Sequence, residues 1–210
     1  AGTWNNTYAV ATGSGTSRLL VVSVGVYSNG NNNPTFTATY GGRPLTQISL
    51  VNSSGRASGW VGYLKEAELD AATNATLSVT ATNSGAVISG YQVRAMVFDY
   101  VNQNAPIPSS GAVDFVFNTY DSTAATTGNF SYNANDSAIV VSGGYVNISY
   151  TIGGTGASNY RTMTGATYGV AISRTSGGTG PTTDNLTLTP SGNGRELGTA
   201  VPIQSECNNN

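Results

Sequence analysis

The stretch Arg18–Tyr27, which reads Arg-Leu-Leu-Val-Val-Ser-Val-Gly-Val-Tyr, decides the fold class of this chain. In an extended chain alternate side chains point to opposite faces, and here both faces are largely apolar. Most of its residues are β-branched, and a segment rich in Gly and Ser precedes it, which favours a strand over a buried helix. The stretch therefore predicts a strand in the middle of a sheet, covered on both sides.

Short runs rich in β-branched and aromatic residues recur along the rest of the chain, separated by Gly, Asn and Pro. Helical character is confined to Glu66–Asn74, and no alternation of strands with helices is present. We expect an all-β chain, an antiparallel two-sheet β-sandwich of jelly-roll, Greek-key or Ig-like type. The predicted strands are Thr3–Ala11, Arg18–Tyr27, Thr35–Tyr40, Leu45–Val51, Gly59–Lys65, Ala75–Ala81, Val87–Val101, Val113–Tyr120, Gly128–Tyr132, Ser137–Tyr145, Val146–Ile152, Tyr160–Met163, Ala166–Arg174, Asn185–Thr189 and Glu196–Ile203.

The 210 residues suit one β-sandwich domain with two terminal extensions. We expect an N-terminal strand over 1–11, a flexible Gly/Ser linker over 12–17, the sandwich over 18–204 and a polar tail over 205–210. The two Gly residues at 41–42 predict a tight turn between neighbouring strands.

The composition is poor in charge, with 9% charged residues against roughly 25% in an average soluble domain. The net charge of −2 provides no basic surface for phosphates, so no nucleic-acid partner is expected. No apolar run approaches the roughly 20 residues that span a bilayer, so no membrane span is expected. The chain begins at Ala1 and has no apolar leader, which is typical of a mature secreted protein. We therefore expect an extracellular or cell-surface location.

The residues for common catalytic mechanisms are missing. The chain has no His, and neither a nucleophile elbow nor a phosphate-binding loop is present. A hydrolase would need two acids facing one cleft. Glu66, Glu68 and Asp70 are interpreted as solvated loop acids, and Asp99 as a structural partner of an Arg or Tyr. The sequence therefore predicts a protein that is not an enzyme, with no catalytic residue, metal site or cofactor.

Two kinds of covalent modification remain open. The lone Cys207, in the tail, is a candidate for an interchain disulfide, although a passive tail residue is the simpler interpretation. Among several Asn-x-Ser/Thr sequences, the glycosylation candidates are Asn74, Asn135, Asn52 and Asn129.

Four segments carry a family resemblance: Arg18-Leu-Leu-Val-Val-Ser-Val24, Tyr40-Gly-Gly-Arg-Pro-Leu-Thr46, Gly62-Tyr-Leu64 and Tyr100-Val-Asn-Gln-Asn-Ala-Pro106. Together they resemble a β-sandwich module of large secreted and surface-exposed prokaryotic proteins. The resemblance implies a surface or adhesive role. In its layout, with a separate N-terminal strand and a free tail, the chain also resembles subunits of extracellular filaments joined by donor-strand complementation.

The N-terminal strand suggests how copies of the chain would join. Trp4, Tyr8 and Val10 alternate along it, and they would fill pockets of a neighbouring copy while the backbone pairs with that copy. Full burial of the three would contribute on the order of 6 kcal/mol before ordering costs. A second alternating set at the other terminus consists of Leu197, Val201 and Ile203. Because proline cannot donate to a sheet ladder, Pro202 must lie either in an edge strand or at the end of its strand. The alternative is that Thr3–Ala11 is the first strand of its own fold.

Two functions follow. The first is a structural subunit of an extracellular filament, pilus or surface layer that forms a homopolymer. The second is a monomeric adhesive module that binds surface glycans, because sugars stack on exposed aromatic rings. The aromatic candidates are Trp4, Trp60, Tyr63, Tyr91 and Tyr100, although all lie within strand patterns and core packing or cross-strand pairing is the simpler interpretation.

Overall fold

The structure is a computed structural model. It describes residues 1–28, 30, 33–52, 56–108, 113–121, 125–126, 130–132, 137–144, 150–153, 170–175, 182–184, 187–190 and 194–206. The predicted strand at Tyr160–Met163 lies outside these residues.

Most of the described residues lie in β-strands. One short helix, α1, covers Glu66–Asp70. The strands are β1 (Gly2–Ala9), β2 (Leu19–Ser28), β3 (Thr35–Tyr40), β4 (Arg43–Pro44), β5 (Thr46–Asn52), β6 (Ala57–Lys65), β7 (Thr76–Asn83), β8 (Ile88–Phe98), β9 (Val113–Asp121), β10 (Ala125–Thr126), β11 (Phe130–Tyr132), β12 (Ser137–Gly144), β13 (Tyr150–Gly153), β14 (Val170–Thr175), β15 (Thr182–Asp184), β16 (Thr187–Pro190) and β17 (Gly194–Ile203).

The strand predicted to be central is central. β2 lies between β6 and β8 in a four-stranded antiparallel sheet of order β5-β6-β2-β8, and all ten of its residues are buried. Its side chains alternate between two hydrophobic clusters, so both faces of the strand are covered. The prediction of an all-β fold built from antiparallel sheets is confirmed.

One face of this sheet packs against a second antiparallel sheet of order β1-β7-β3-β4. Leu20 and Val22 of β2 meet Leu77 and Val79 of β7 in the largest hydrophobic cluster. β3 and β4 are joined by Gly41 and Gly42, both with positive φ, as the predicted tight turn requires. A Cβ on Gly41 would lie 2.5 Å from the Asn74 carbonyl oxygen, so any residue with a side chain would collide with the backbone at this position.

The other face of β2 packs against the C-terminal strand. Leu19 and Val21 form a cluster with Val201 and Ile203 of β17. β17 lies inside a third antiparallel sheet of order β14-β12-β17-β9, and two smaller sheets have the orders β10-β16-β13 and β11-β15. Thr199 of β17 and Ser49 of β5 both donate to Asp114 Oδ1, at 2.7 and 2.6 Å. β2 therefore has side chains from another strand layer against each of its faces.

Two segments differ from the sequence prediction. The helix ends at Asp70, and residues 71–75 form a turn that brings the chain back to β7. The strand predicted over Val87–Val101 is shorter, because β8 ends at Phe98 and Tyr100 takes a φ of 58°. A left-handed backbone is incompatible with a continuing strand, so the chain turns at this point.

We expect the substitution Leu20→Ala to destabilise the chain by about 2–5 kcal/mol, because Leu20 is fully buried and the surroundings relax only partly into the space left. The free energy of unfolding in urea measures the loss. Leu50→Ala is the matched control, since Leu50 is 37% exposed and its loss is expected to be much smaller. Equal losses for the two variants would contradict the central position of β2.

Candidate functional site: the N-terminal edge strand

β1 lies at the edge of its sheet and pairs on one side only. Its partner is β7, with eight residue pairs from Gly2 opposite Asn83 to Ala9 opposite Thr76. The pairing continues for one more residue, since the Val10 N–H donates to the Ala75 carbonyl oxygen at 3.0 Å. The other side of β1 has no strand among the described residues. In the single chain, β1 is thus the first strand of its own fold, which is the second of the two sequence interpretations.

The side chains of β1 alternate strictly between solvent and core. Trp4, Tyr8 and Val10 are half-buried and pack against the cluster between the two sheets. Because their burial is partial, their contribution is about half the value for full burial, on the order of 3 kcal/mol. The Tyr40 hydroxyl donates to the Val10 carbonyl oxygen at 3.0 Å and fixes the end of the strand.

An aromatic contact closes the gap between the two sheets beside β1. The ring of Trp4 stacks on that of Tyr91 in β8, with centroids 4.2 Å apart and planes inclined by 29°. Burial raises the pKa of the Tyr8 hydroxyl above its usual value, and the nearby Tyr91 raises it further. Three aromatic side chains therefore line one border of the core, and two of them belong to β1.

The two edges of this sheet differ in charge and length. β1 has eight residues and no charged side chain. β4, at the opposite edge, has two residues, Arg43 and Pro44, both exposed. Short strands, cations and proline are features that discourage pairing with another chain. The β4 edge carries all three, and the β1 edge carries none.

The linker predicted over 12–17 is attached to the body of the fold at its end. The N–H groups of Tyr100 and Val101 donate to the carbonyl oxygens of Thr16 and Ser17, both at 2.9 Å. The Ser17 N–H donates to Glu66 Oε2 at 2.7 Å.

Arg18 adds side-chain contacts to this attachment. Its Nε–H donates to Glu66 Oε1 at 3.1 Å, one terminal N–H donates to the Gly13 carbonyl oxygen at 3.0 Å, and the other to Asp70. Hydrogen bonding to Glu66 raises the pKa of Arg18, and the guanidinium lowers the pKa of Glu66. We call Arg18, Glu66 and Asp70 the linker clamp.

The linker clamp corrects the interpretation of the helix acids. Glu66 and Asp70 pair with Arg18, while Glu68 accepts the Lys65 N–H at 3.1 Å and caps the helix. The sequence analysis missed this use. Its signal was available, because residues four apart lie on one face of a helix turn and two acids at that spacing suit one arginine.

The C-terminal candidates lie inside the chain's own fold. Leu197, Val201 and Ile203 are all buried, and β17 has β12 on one side and β9 on the other. The pairing with β9 stops at Ala200, so Pro202 lies beyond that ladder, at the strand's end. This differs from the prediction of a second alternating set for assembly, since all three side chains are already buried within the chain's own fold.

The structure sorts the aromatic candidates by exposure. Trp60 is 3% exposed and donates its indole N–H to Gln47, and Tyr63 packs in the cluster beneath β17. Tyr91 is 46% exposed and Tyr100 is 62% exposed. Core packing thus accounts for Trp60 and Tyr63, and a ring surface remains open at Tyr91 and Tyr100.

The glycosylation candidates differ in their surroundings. Asn74 is exposed, with its Oδ1 accepting the Thr76 N–H at 3.0 Å. The Oδ1 of Asn52 is buried, with no hydrogen-bond partner among the described residues. Asn129, Asn135 and Cys207 lie outside the described residues. Of the two described candidates, Asn74 is the more accessible.

Two further observations concern the described residues alone. They contain no group of three or more His, Cys, Asp or Glu side chains arranged to hold a metal ion. Their single helix has five residues, and no helix within them is long and apolar enough to cross a membrane.

Comparison of the chain with protein-family models, with curated protein sequences and with solved structures found no match. The resemblance to secreted surface modules stays a prediction from four sequence segments.

We expect Trp4→Ala and Tyr91→Ala to be coupled by about 0.5–1.5 kcal/mol, because each substitution removes one half of the same stacked pair. A double-mutant cycle on the free energy of unfolding measures the coupling. The matched control is the cycle of Trp4→Ala with Tyr100→Ala, for which additive effects are expected. Additive effects in both cycles would contradict the stack.

Proposed function

We propose that this chain is a non-catalytic structural subunit of an extracellular filament, pilus or surface layer, in which copies join by exchanging β1. The observation that carries the proposal is the position of β1. It is an uncharged edge strand whose apolar side chains close the core, and a short segment separates it from β2. Such a strand can leave its own sheet and occupy the same place in a neighbour.

Exchange of β1 preserves the contacts that hold this strand in the single chain. A β1 strand from another copy would make the same hydrogen bonds with β7 and bury Trp4, Tyr8 and Val10 in the same places. The interactions lost in one chain are regained in the next, so the net difference comes from the linker and from the entropy of association. The balance between monomer and assembly therefore depends on protein concentration.

The direction of exchange determines the shape of the assembly. If each copy gives β1 to the next and receives β1 from the one before, the contact is head-to-tail. A head-to-tail contact that does not close into a ring extends without limit. One end then presents a free β1 and the other an open groove, and both accept further subunits. This is the geometry of a filament.

The surface chemistry suits an extracellular location. The low charge leaves solubility to Thr, Asn, Ser, Gly and Tyr, and a single Cys makes the fold independent of internal disulfides. Asn74 is exposed and available for glycosylation.

Deletion of residues 1–11 is expected to abolish assembly and to lower the Tm, because the groove along β7 loses its occupant. Addition of a peptide of residues 1–11 is expected to raise the Tm of the truncated chain by about 5–10 °C near 100 times its Kd. Negative-stain microscopy and thermal denaturation give the two measurements.

The control peptide carries Trp4→Ser and Tyr8→Ser and is expected to leave the Tm unchanged. Two results would overturn the proposal. One is the formation of filaments by the truncated chain, and the other is an unchanged Tm of the truncated chain when the unmodified peptide is added. Either result shows that β1 is not the element that joins copies.

A second candidate function rests on the exposed rings of Tyr91 and Tyr100. Here the chain is a monomeric adhesive module, and a sugar stacks on one of these rings. We expect such a module to lose glycan binding in Tyr91→Ala or Tyr100→Ala, and to keep it in Tyr63→Phe, which alters a packed ring. A glycan array with no signal for the unmodified chain would exclude this function.

A further inference from the structure

Two residues where the linker meets the segment after β8 have unusual backbone conformations. Ser17 has a φ of 53° and Tyr100 a φ of 58°, and both are residues that rarely adopt the left-handed region. They lie at one junction, where Tyr100 and Val101 donate to the linker carbonyl oxygens of Thr16 and Ser17. Strained conformations of this kind persist only where surrounding contacts hold them, so release of the linker also releases strain.

The linker also fits closely against the loop that follows β8. A Cβ on Gly15 would lie 1.9 Å from Asp99 Oδ1, so a side chain at this position would require the exposed Asp99 carboxylate to move. Gln103 completes the junction by donating to the Arg18 carbonyl oxygen at 3.1 Å and accepting the Glu66 N–H at 2.9 Å. Residues 13–18 are thus fixed by contacts that do not involve β1 itself.

We propose that the linker clamp of Arg18, Glu66 and Asp70 decides whether β1 stays in its own sheet or is given to another copy. The inference rests on the exchange of β1 proposed above. With the clamp formed, the linker is held near the start of β2 and β1 falls beside its own β7. With the clamp open, the linker extends, and β1 reaches the β7 edge of a neighbour. The three side chains act as positioning residues, since none of them touches β1.

The charged side chains around the linker clamp determine how acid and salt affect it. Glu66 faces Arg18 from α1, Asp70 faces it from the next turn, and Lys65 and Glu68 flank Glu66 along the chain. Asp99 approaches the linker at Gly15 from the end of β8. Arg18 is therefore the cation that holds the linker clamp together, and added salt weakens its attraction to the two acids.

The sign of the pH dependence follows from Glu66. Its pKa is lowered in the folded chain, chiefly by the hydrogen bond from Arg18. The clamp is therefore fully formed above the pKa that Glu66 has in the unfolded chain. It is lost as the pH falls through the lower pKa that Glu66 has in the folded chain. At neutral pH the clamp is closed, and acid opens it.

Uptake of a fluorescent peptide of residues 1–11 by the full-length chain measures the release of β1 directly. We expect Glu66→Gln to take up the peptide about fivefold faster than the unmodified chain at neutral pH, because it loses a charge-assisted contact with Arg18. Salt and acid are expected to speed uptake by the unmodified chain and to have a smaller effect on the variant, in which Asp70 alone pairs with Arg18.

Two controls separate clamp release from general destabilisation. Glu68→Gln changes a helix acid that does not touch the linker, and it is expected to leave the uptake rate unchanged. Val51→Ala lowers stability in a cluster formed with Ala57 and Leu197, away from β1, and is also expected to leave the rate unchanged.

Equal uptake by the unmodified chain and Glu66→Gln would overturn the clamp, and so would equal acceleration by Val51→Ala. The two proposals fail differently. If the truncated chain binds the peptide, but the full-length clamp variant takes up the peptide no faster than the unmodified chain, then exchange of β1 is supported and control by the clamp is contradicted. If the truncated chain does not bind the peptide, the proposed exchange of β1 is itself contradicted.

Discussion

The burial of both faces of β2 is the constraint on which the rest of the structure depends. All ten residues of this strand are buried, so a layer of side chains must cover each face. Sheet β1-β7-β3-β4 covers one face, and β17 with its neighbours covers the other. Each covering layer then has edges of its own. The β1 edge is one of these, and its place beside the core follows from the need to close the first layer.

Scarcity of charge shapes how those edges behave. Proteins protect sheet edges with lysines, prolines, short strands or covering loops, and this chain has few charges to distribute. It places Arg43 and Pro44 at one edge of the first covering sheet and leaves the β1 edge uncharged. Arg18, Glu66 and Asp70 instead form the linker clamp. Charge is thus used where it positions the linker, and the strand itself stays free of it.

Much of the fold was predictable from local patterns, and the functional geometry was less so. β2 and the turn at Gly41–Gly42 follow from alternation and glycine conformation, which are properties of neighbouring residues. The central place of β17 did not follow, because strand order depends on packing between distant segments, and the pattern around Leu197–Ile203 suits a central strand and an edge strand equally. The linker clamp joins residues about 50 positions apart. The sequence showed the acids at helical spacing but not the arginine that meets them.

The most direct test of the account asks which chain β1 pairs with inside an assembly. Thr3 and Thr82 lie opposite each other in β1 and β7, with hydroxyl oxygens 3.4 Å apart, so cysteines at these positions are within reach of a disulfide. Thr3→Cys and Thr82→Cys would be introduced together with Cys207→Ser, and the protein oxidised after it has assembled. Exchange of β1 predicts a ladder of covalently linked multimers on a denaturing gel without reductant. A single band of monomer from fully oxidised assemblies would contradict it.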